Sequence, residues 1–185
     1  MAEQMKLLDG SGAGPRRPRS MDSSLDRARE RVQRGLREPG GILCPCCGQT
    51  CALRKRRING AMARALIAIC SIRARDGDRW VHLRELPNLQ ARSGGGDFQK
   101  LRHWDLIEGM PKATDPLDTN PRSGFWRATP AGMEFVRGDV WVPAYKLMFD
   151  AEVYDESEEL ITIVEAVGTR FDYDEIMSGA FPDGG

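Results

Sequence analysis

Apolar residues first fall into a regular spacing near the N-terminus, where Leu25, Ala28, Val32 and Leu36 recur at intervals of three and four. That is the period of one helix face, and Ser23 to Asp26 fit a capping box at its start. Pro39-Gly40-Gly41 stops the pattern, so residues 21–42 are expected to form a short amphipathic helix. A stronger helix follows Asn59 as its cap, with Met62, Ala63, Leu66, Ile67, Ile69 and Cys70 on the buried face and Arg64, Ser71 and Arg75 opposite. On this reading Cys70 is core packing. Asp76–Asp78 reads as a turn and Trp80-Val81 as a very short strand, with a second helix over Leu83 to Gln90 interrupted near Pro87. After three glycines, Gly94 to Gly96, a third helix is expected from Asp97 to Trp104.

The next stretch alternates differently. "DLIEGM" and "FWRAT" read as two strands around a long polar loop, and Thr129 caps a further helix with Pro130 at its first position. Beyond Gly138, "DVWVPAYKLMFDAEVY" has the β-branched and aromatic content of strands, and Asp155 to Glu159 reads as an acidic turn. "ELITIVEAVGTRFDYDEIM" then suggests a strand and one or two short helices, before a loose "SGAFPDGG". Residues 1–20 hold almost nothing to bury and are expected to be disordered.

A chain of 185 residues can bury a substantial core. Its longest apolar run, Ala65 to Cys70, is far shorter than the roughly 20 residues of a membrane-spanning helix, and the polar N-terminus has no signal-peptide pattern. The expectation is a soluble cytoplasmic protein that makes no membrane contact. Formal net charge is zero, yet the charges are sorted along the chain. Basic residues outnumber acidic ones nine to six over 1–42 and twelve to six over 43–110, stand at five to four over 111–147, and fall to one against eleven over 148–185. Such sorting suggests an anion-binding body and a separate negative segment.

Four of the five cysteines lie in "CPCCGQTC", directly before the basic run "RKRR". An odd count with two adjacent thiols is a poor disulfide framework. Cys44 and Cys47 have the Cys-Pro-x-Cys-Gly look of half a zinc ribbon, with Cys51 as a third ligand. The fourth would be Cys46, His82 or a thiol of a second copy. Bound Zn2+, a metal-free knuckle and redox-active thiols all stay open, the last because the basic run would favour thiolates. There is no phosphate-binding glycine loop with a lysine, no His-Glu-x-x-His, and only two histidines, so no enzyme is expected.

"FQKLRHWDLIE…SGFWRATPAGMEFV" resembles the close of winged-helix DNA-binding domains, in which a recognition helix runs into a "GLI"-like strand and a hairpin returns into a Thr-x-x-Gly turn. Asp105 stands where glycine is common in that pattern. More broadly, the cysteine knuckle before "RKRRINGAMARALI" and the tail "VPAYK…ITIVEAVGTRFDYDEIM" look like a family of small phage and prophage proteins, which would place this one in a host cytoplasm. The resemblance implies an α+β fold: a winged helix over 58–138, preceded by the N-terminal helix and a zinc-knuckle-like loop with the basic run over 43–57, and followed by an acidic α/β extension over 139–185.

With Leu101 as the buried centre of an α-helix, about 100° per residue puts Gln99 and His103 outward and Lys100 and Arg102 at the margins. Gln reads adenine and Arg or Lys reads guanine in the major groove of double-stranded DNA. Arg54, Lys55, Arg56 and Arg57 would hold phosphates, and Lys112 and Arg122 would sit in the wing among Asp115 and Asp118. A rival expectation is a protein-interaction factor, such as an inhibitor of a host enzyme, whose acidic segment imitates nucleic acid.

Overall fold

A computed structural model of the chain describes residues 25–86, 97–111, 124–169 and 172–181. It divides into two compact units, Met1–Arg54 and Lys55–Gly185. Both α-helices and antiparallel sheets are present, so the protein is α+β. The expected disorder of 1–20 lies outside the described residues.

In the first unit, helix α1 (Leu25–Gly35) buries Ala28, Val32 and Gly35, and Leu36 is buried just past its end. Leu25 departs from the expected stripe: it sits in the first turn and is exposed. Strands β1 (Ile42–Leu43) and β2 (Thr50–Cys51) form a small antiparallel hairpin with Ile42 opposite Cys51. Gly41 makes the approach possible. It has φ 75°, and a Cβ there would collide with the Cys51 carbonyl oxygen.

The basic run does not lead loosely into a helix; Arg54–Arg57 form a strand, β3, with all four residues exposed. Helix α2 (Gly60–Asp76) begins at Asn59, whose Oδ1 accepts the Met62 N–H at 3.0 Å. The buried surface of α2 is wider than one face, because Ala65 and Ile72 join the six expected residues. A helix apolar over so much of its circumference must be covered from several sides. Strand β4 (Val81–His82) follows, then a 3-10 turn over Leu83–Glu85 in place of the expected longer helix. The Pro87–Gln90 part of that helix, and Gly94–Gly96, lie outside the described residues.

Asp97–Trp104 is helical as expected but winds as a 3-10 helix. Its buried residues are Phe98, Leu101 and Trp104, three apart, which is the repeat of that tighter coil. Strands β5 (Ile107–Gly109) and β6 (Phe125–Ala128) pair antiparallel, and β4 lies on the other side of β6, giving the order β4-β6-β5. Helix α3 (Pro130–Arg137) is capped by Thr129.

The rest of the chain runs through β7 (Val142–Pro143), β8 (Tyr145–Phe149), β9 (Glu152–Glu156), β10 (Leu160–Ile161), α4 (Ile163–Val167) and α5 (Tyr173–Ala180). Strand β10 pairs with β7, and β3, β8 and β9 form a second three-stranded sheet in that order. Two local expectations change. Asp155 and Glu156 belong to β9, and the tight connection is Asp150-Ala151, both at positive φ. Ser178–Ala180 are helical, closing α5, and the last four residues lie outside the described set.

The acidic segment was expected to be a small α/β extension packed on the winged helix, outside its core. Instead Ile163, Ala166 and Val167 of α4 sit in one core with Leu66, Phe98, Leu101, Trp126 and Phe135. Among the described residues no helix is long and apolar enough to cross a membrane.

The Thr-x-x-Gly turn has a structural cause. Thr129 N–H donates to the Leu106 carbonyl at 3.1 Å, its hydroxyl donates to the Asp105 carbonyl, and the Gly132 N–H donates back to that hydroxyl at 3.0 Å. A Cβ on Gly132 would strike the Leu106 carbonyl oxygen, so α3 can lock the end of the 3-10 helix only with glycine there. Gly132→Ala is expected to destabilise the protein by about 1–3 kcal/mol, the usual range for overpacking. Chemical denaturation measures it, and an unchanged midpoint would show that this packing holds nothing.

Candidate nucleic-acid interface and cysteine cluster

A 3-10 coil turns about 120° per residue, so it sorts the candidate readers differently from an α-helix. Gln99 and Arg102 share one side, and Lys100 and His103 share the other. Arg102 is exposed, while Gln99, Lys100 and His103 are half-buried. Lys100 is held by an ion pair with Asp97. Burial first, then the neighbouring Arg102 and Lys146 charges, push the His103 imidazole below its ordinary range, against a smaller opposing effect of Asp105. These effects favour the neutral imidazole, which offers hydrogen bonds without charge. The side holding Gln99 and Arg102 is the better candidate surface.

The coil is fixed from behind. Trp104 Nε1 donates to the Pro143 carbonyl at 2.7 Å, and Phe98 meets Trp126 edge to face at 5.4 Å. It ends at Asp105, whose φ of 57° is the left-handed value that glycine adopts most easily. Aspartate is among the few other residues that tolerate this region, so Asp105 can hold the left-handed turn that ends the coil.

Strand β3 supplies the second basic element. Lys55 Nζ lies 3.6 Å from the centre of the Tyr145 ring. Alternation along a strand then puts Lys55 and Arg57 on one face of the sheet and Arg54 and Arg56 on the other. The run is thus two pairs facing opposite ways. Several other arginines of the second unit are already engaged. Arg73 pairs with Asp78 and binds the Ala128 carbonyl, Arg75 and Arg79 hold Asp76, and Arg127 spans Glu108 and Asp78 over the Trp80 ring. The side-chain hydrogen bond from Arg75, helped by Arg79, lowers the Asp76 carboxyl to about 2. Among the described residues, no such carboxylate pair engages Arg56, Arg57 or Arg102. Lys112 and Arg122 lie outside the described residues.

In the first unit, Cys44 N–H donates to the Gln49 carbonyl at 2.7 Å and the Cys44 carbonyl accepts from Gly48 at 2.8 Å, closing a tight turn with Gly48 at φ 74°. Backbone N–H groups of Cys47 and Cys46 point at the Cys44 sulfur and, with the Cys47 thiol, hold the Cys44 pKa below the usual thiol range. Desolvation and then the nearby Cys44 push Cys46 up, and desolvation with Cys44 and Cys47 does the same to Cys51. The four thiols are electrostatic neighbours. Still, among the described residues no three His, Cys, Asp or Glu side chains are gathered in a metal-holding arrangement. His82 is committed locally: its Nδ1 accepts the Arg84 N–H at 3.1 Å, and its ring meets Phe125 edge on at 4.7 Å. Cys70 is fully buried, and burial pushes its thiol up to about 12.

Cys44 is lowered where Cys46 and Cys51 are raised, so limiting iodoacetamide at neutral pH is expected to label Cys44 ahead of Cys46 and Cys51 and to spare the buried Cys70. Peptide mass spectrometry reads the order; preferential labelling of Cys46 would show that exposure, rather than the amide hydrogen bonds, sets reactivity.

The sequence named the basic and cysteine candidates but missed Trp141, which lies just before β7 and is 61% exposed. In the sequence it stood only as part of a run with the composition of strands. The chain matches no protein-family model, no curated protein and no solved structure.

Proposed function

We propose that this protein is a phage-type, non-enzymatic winged-helix protein of the host cytoplasm that binds double-stranded DNA, in transcription regulation or phage DNA metabolism. The observation that carries the reading is the path from α2 through β4 and the 3-10 elements into a hairpin, with the sheet order β4-β6-β5. That path brings Arg102 to the surface just before the hairpin. In a winged helix this is where side chains enter the major groove, and Gln99 and Arg102, on one side of the coil, have the chemistry to read adenine and guanine. Arg56 and Arg57 would bind phosphates without reading sequence.

A mobility shift with mixed-sequence duplex at two salt concentrations tests it. Affinity is expected to fall steeply with salt. Replacing Lys55, Arg56 and Arg57 by Ala should weaken binding and flatten the salt slope by about one for each phosphate no longer neutralised. Arg102→Ala should cost about 1–3 kcal/mol on its preferred sequence. Salt-insensitive binding, or none, would favour the rival reading, an inhibitor of a host enzyme whose acidic segment mimics nucleic acid. That reading draws on the exposed Glu152, Asp155, Glu156, Glu158 and Glu159. Truncating the acidic segment cannot separate the two readings, because it would remove the core residues Ile163, Ala166 and Val167.

The cysteine turn is proposed as a structural zinc element. Two amides directed at one sulfur stabilise the thiolate that zinc requires, and Cys44, Cys47 and Cys51, with Cys46 turned inward, supply four sulfurs. Cys46 and Cys47 are exposed and free, so neither thiol is tied to another partner by a disulfide. Protein purified under reducing conditions should carry zinc in parity with the chain, and a chelator should expose all four thiols to alkylation. Metal-free protein whose thiols react identically with and without added zinc would contradict this.

A further inference from the structure

Three of the six large hydrophobic residues that the described chain leaves exposed fall within one short stretch of fold: Trp141 at 61%, Leu160 at 47% and Val164 at 52%. Strand pairing explains why two of them share a face. In the β7–β10 ladder Val142 lies opposite Ile161 and Pro143 opposite Leu160. Val142 is buried and Ile161 packs on the core, so this pair points inward. By alternation, Trp141, Pro143 and Leu160 point outward. Trp141 and Leu160 are diagonal neighbours across the ladder, about 7–8 Å apart and within reach of an aromatic side chain. Val164 follows in the first turn of α4, after the Thr162 cap.

The surroundings are acidic. Exposed Glu158 and Glu159 immediately precede Leu160, exposed Glu165 follows Val164, and Asp139 lies two residues before Trp141. The whole stretch 148–185 holds one basic residue against eleven acidic ones. An exposed tryptophan in an apolar patch with a charged rim has the composition of an interaction hot spot.

We infer that the Trp141–Leu160 face docks a cationic segment of another protein, with an apolar side chain between its charges. An arginine or lysine of that segment can lie over the indole while its neighbours meet Glu158 and Glu159. Charge selects this occupant over the others. A second copy placed by two-fold symmetry would bring the same carboxylates against themselves, and an anionic lipid surface would be repelled. The inference does not rest on DNA binding.

The test uses the full chain and a short fluorescein-labelled peptide of arginine, lysine and leucine, followed by anisotropy, beside the same peptide with glutamate in place of each cation. The cationic peptide should bind and the acidic one should not. Trp141→Ala and Leu160→Ser, shown to melt like the parent, should each weaken binding by at least about tenfold. Glu158→Gln with Glu159→Gln should weaken it and reduce its salt dependence. Arg102→Ala should leave it unchanged, which separates a failure here from a failure of the DNA reading. Equal binding by the Trp141→Ala variant, equal binding of the acidic peptide, or self-association that Trp141→Ala abolishes would each overturn the inference.

Discussion

The burial of α2 is the constraint from which most of the structure follows. Eight of its seventeen residues are buried, including two outside the face that a simple amphipathic pattern defines. Such a helix cannot rest on one sheet with its other side in water. The 3-10 helix, β6, α3, α4 and α5 all pack along it. Truncating a leucine at the centre of such packing costs about 2–5 kcal/mol, a large part of the stability of a domain this size. The acidic segment that contains α4 is therefore bound into the core, and its charges are held at fixed places relative to the basic strand.

That fixed placement sets the electrostatics. In the sheet ordered β3-β8-β9, the basic strand forms one edge and Glu152, Asp155 and Glu156 lie on the other. Two strand spacings separate the edges by about 10 Å, slightly more than the ~8 Å screening length at physiological salt. Repulsion of a phosphate backbone by β9 is thus damped at β3. Lys146, between them on β8, pairs with Glu156 at 2.9 Å and neutralises part of the acidic edge. A zero net charge consequently conceals a basic edge and an acidic edge of one sheet.

Much of this was legible in the sequence, and the parts that were not have physical reasons. Asn59 and Thr129 announced their helices because a cap is a local interaction, and Cys70 lay on an unmistakable apolar face. Phe98, Leu101 and Trp104 were identified as the buried side of their helix, yet residues at i, i+3 and i+6 suit both coils, so their spacing could not separate α from 3-10. The outward residues were sorted wrongly as a result. The run Arg54–Arg57 gave no strand signal, since four charged residues form a strand here only through pairing with β8, a partner about ninety residues away. Trp141 was invisible for a different reason: strand composition says nothing of which face a residue takes, and only the register of β7 with β10 turns it outward.

On the proposed reading, Arg102 and its flanking side chains meet a DNA groove while the Trp141 face stays out of that interface. Amide chemical-shift mapping of the protein titrated with a short mixed-sequence duplex tests it most directly. Changes should concentrate at Gln99–His103 and Arg56–Arg57 and vanish at high salt, with Trp141 and Leu160 unmoved. Changes confined to the acidic strands, or no changes at low salt, would contradict it.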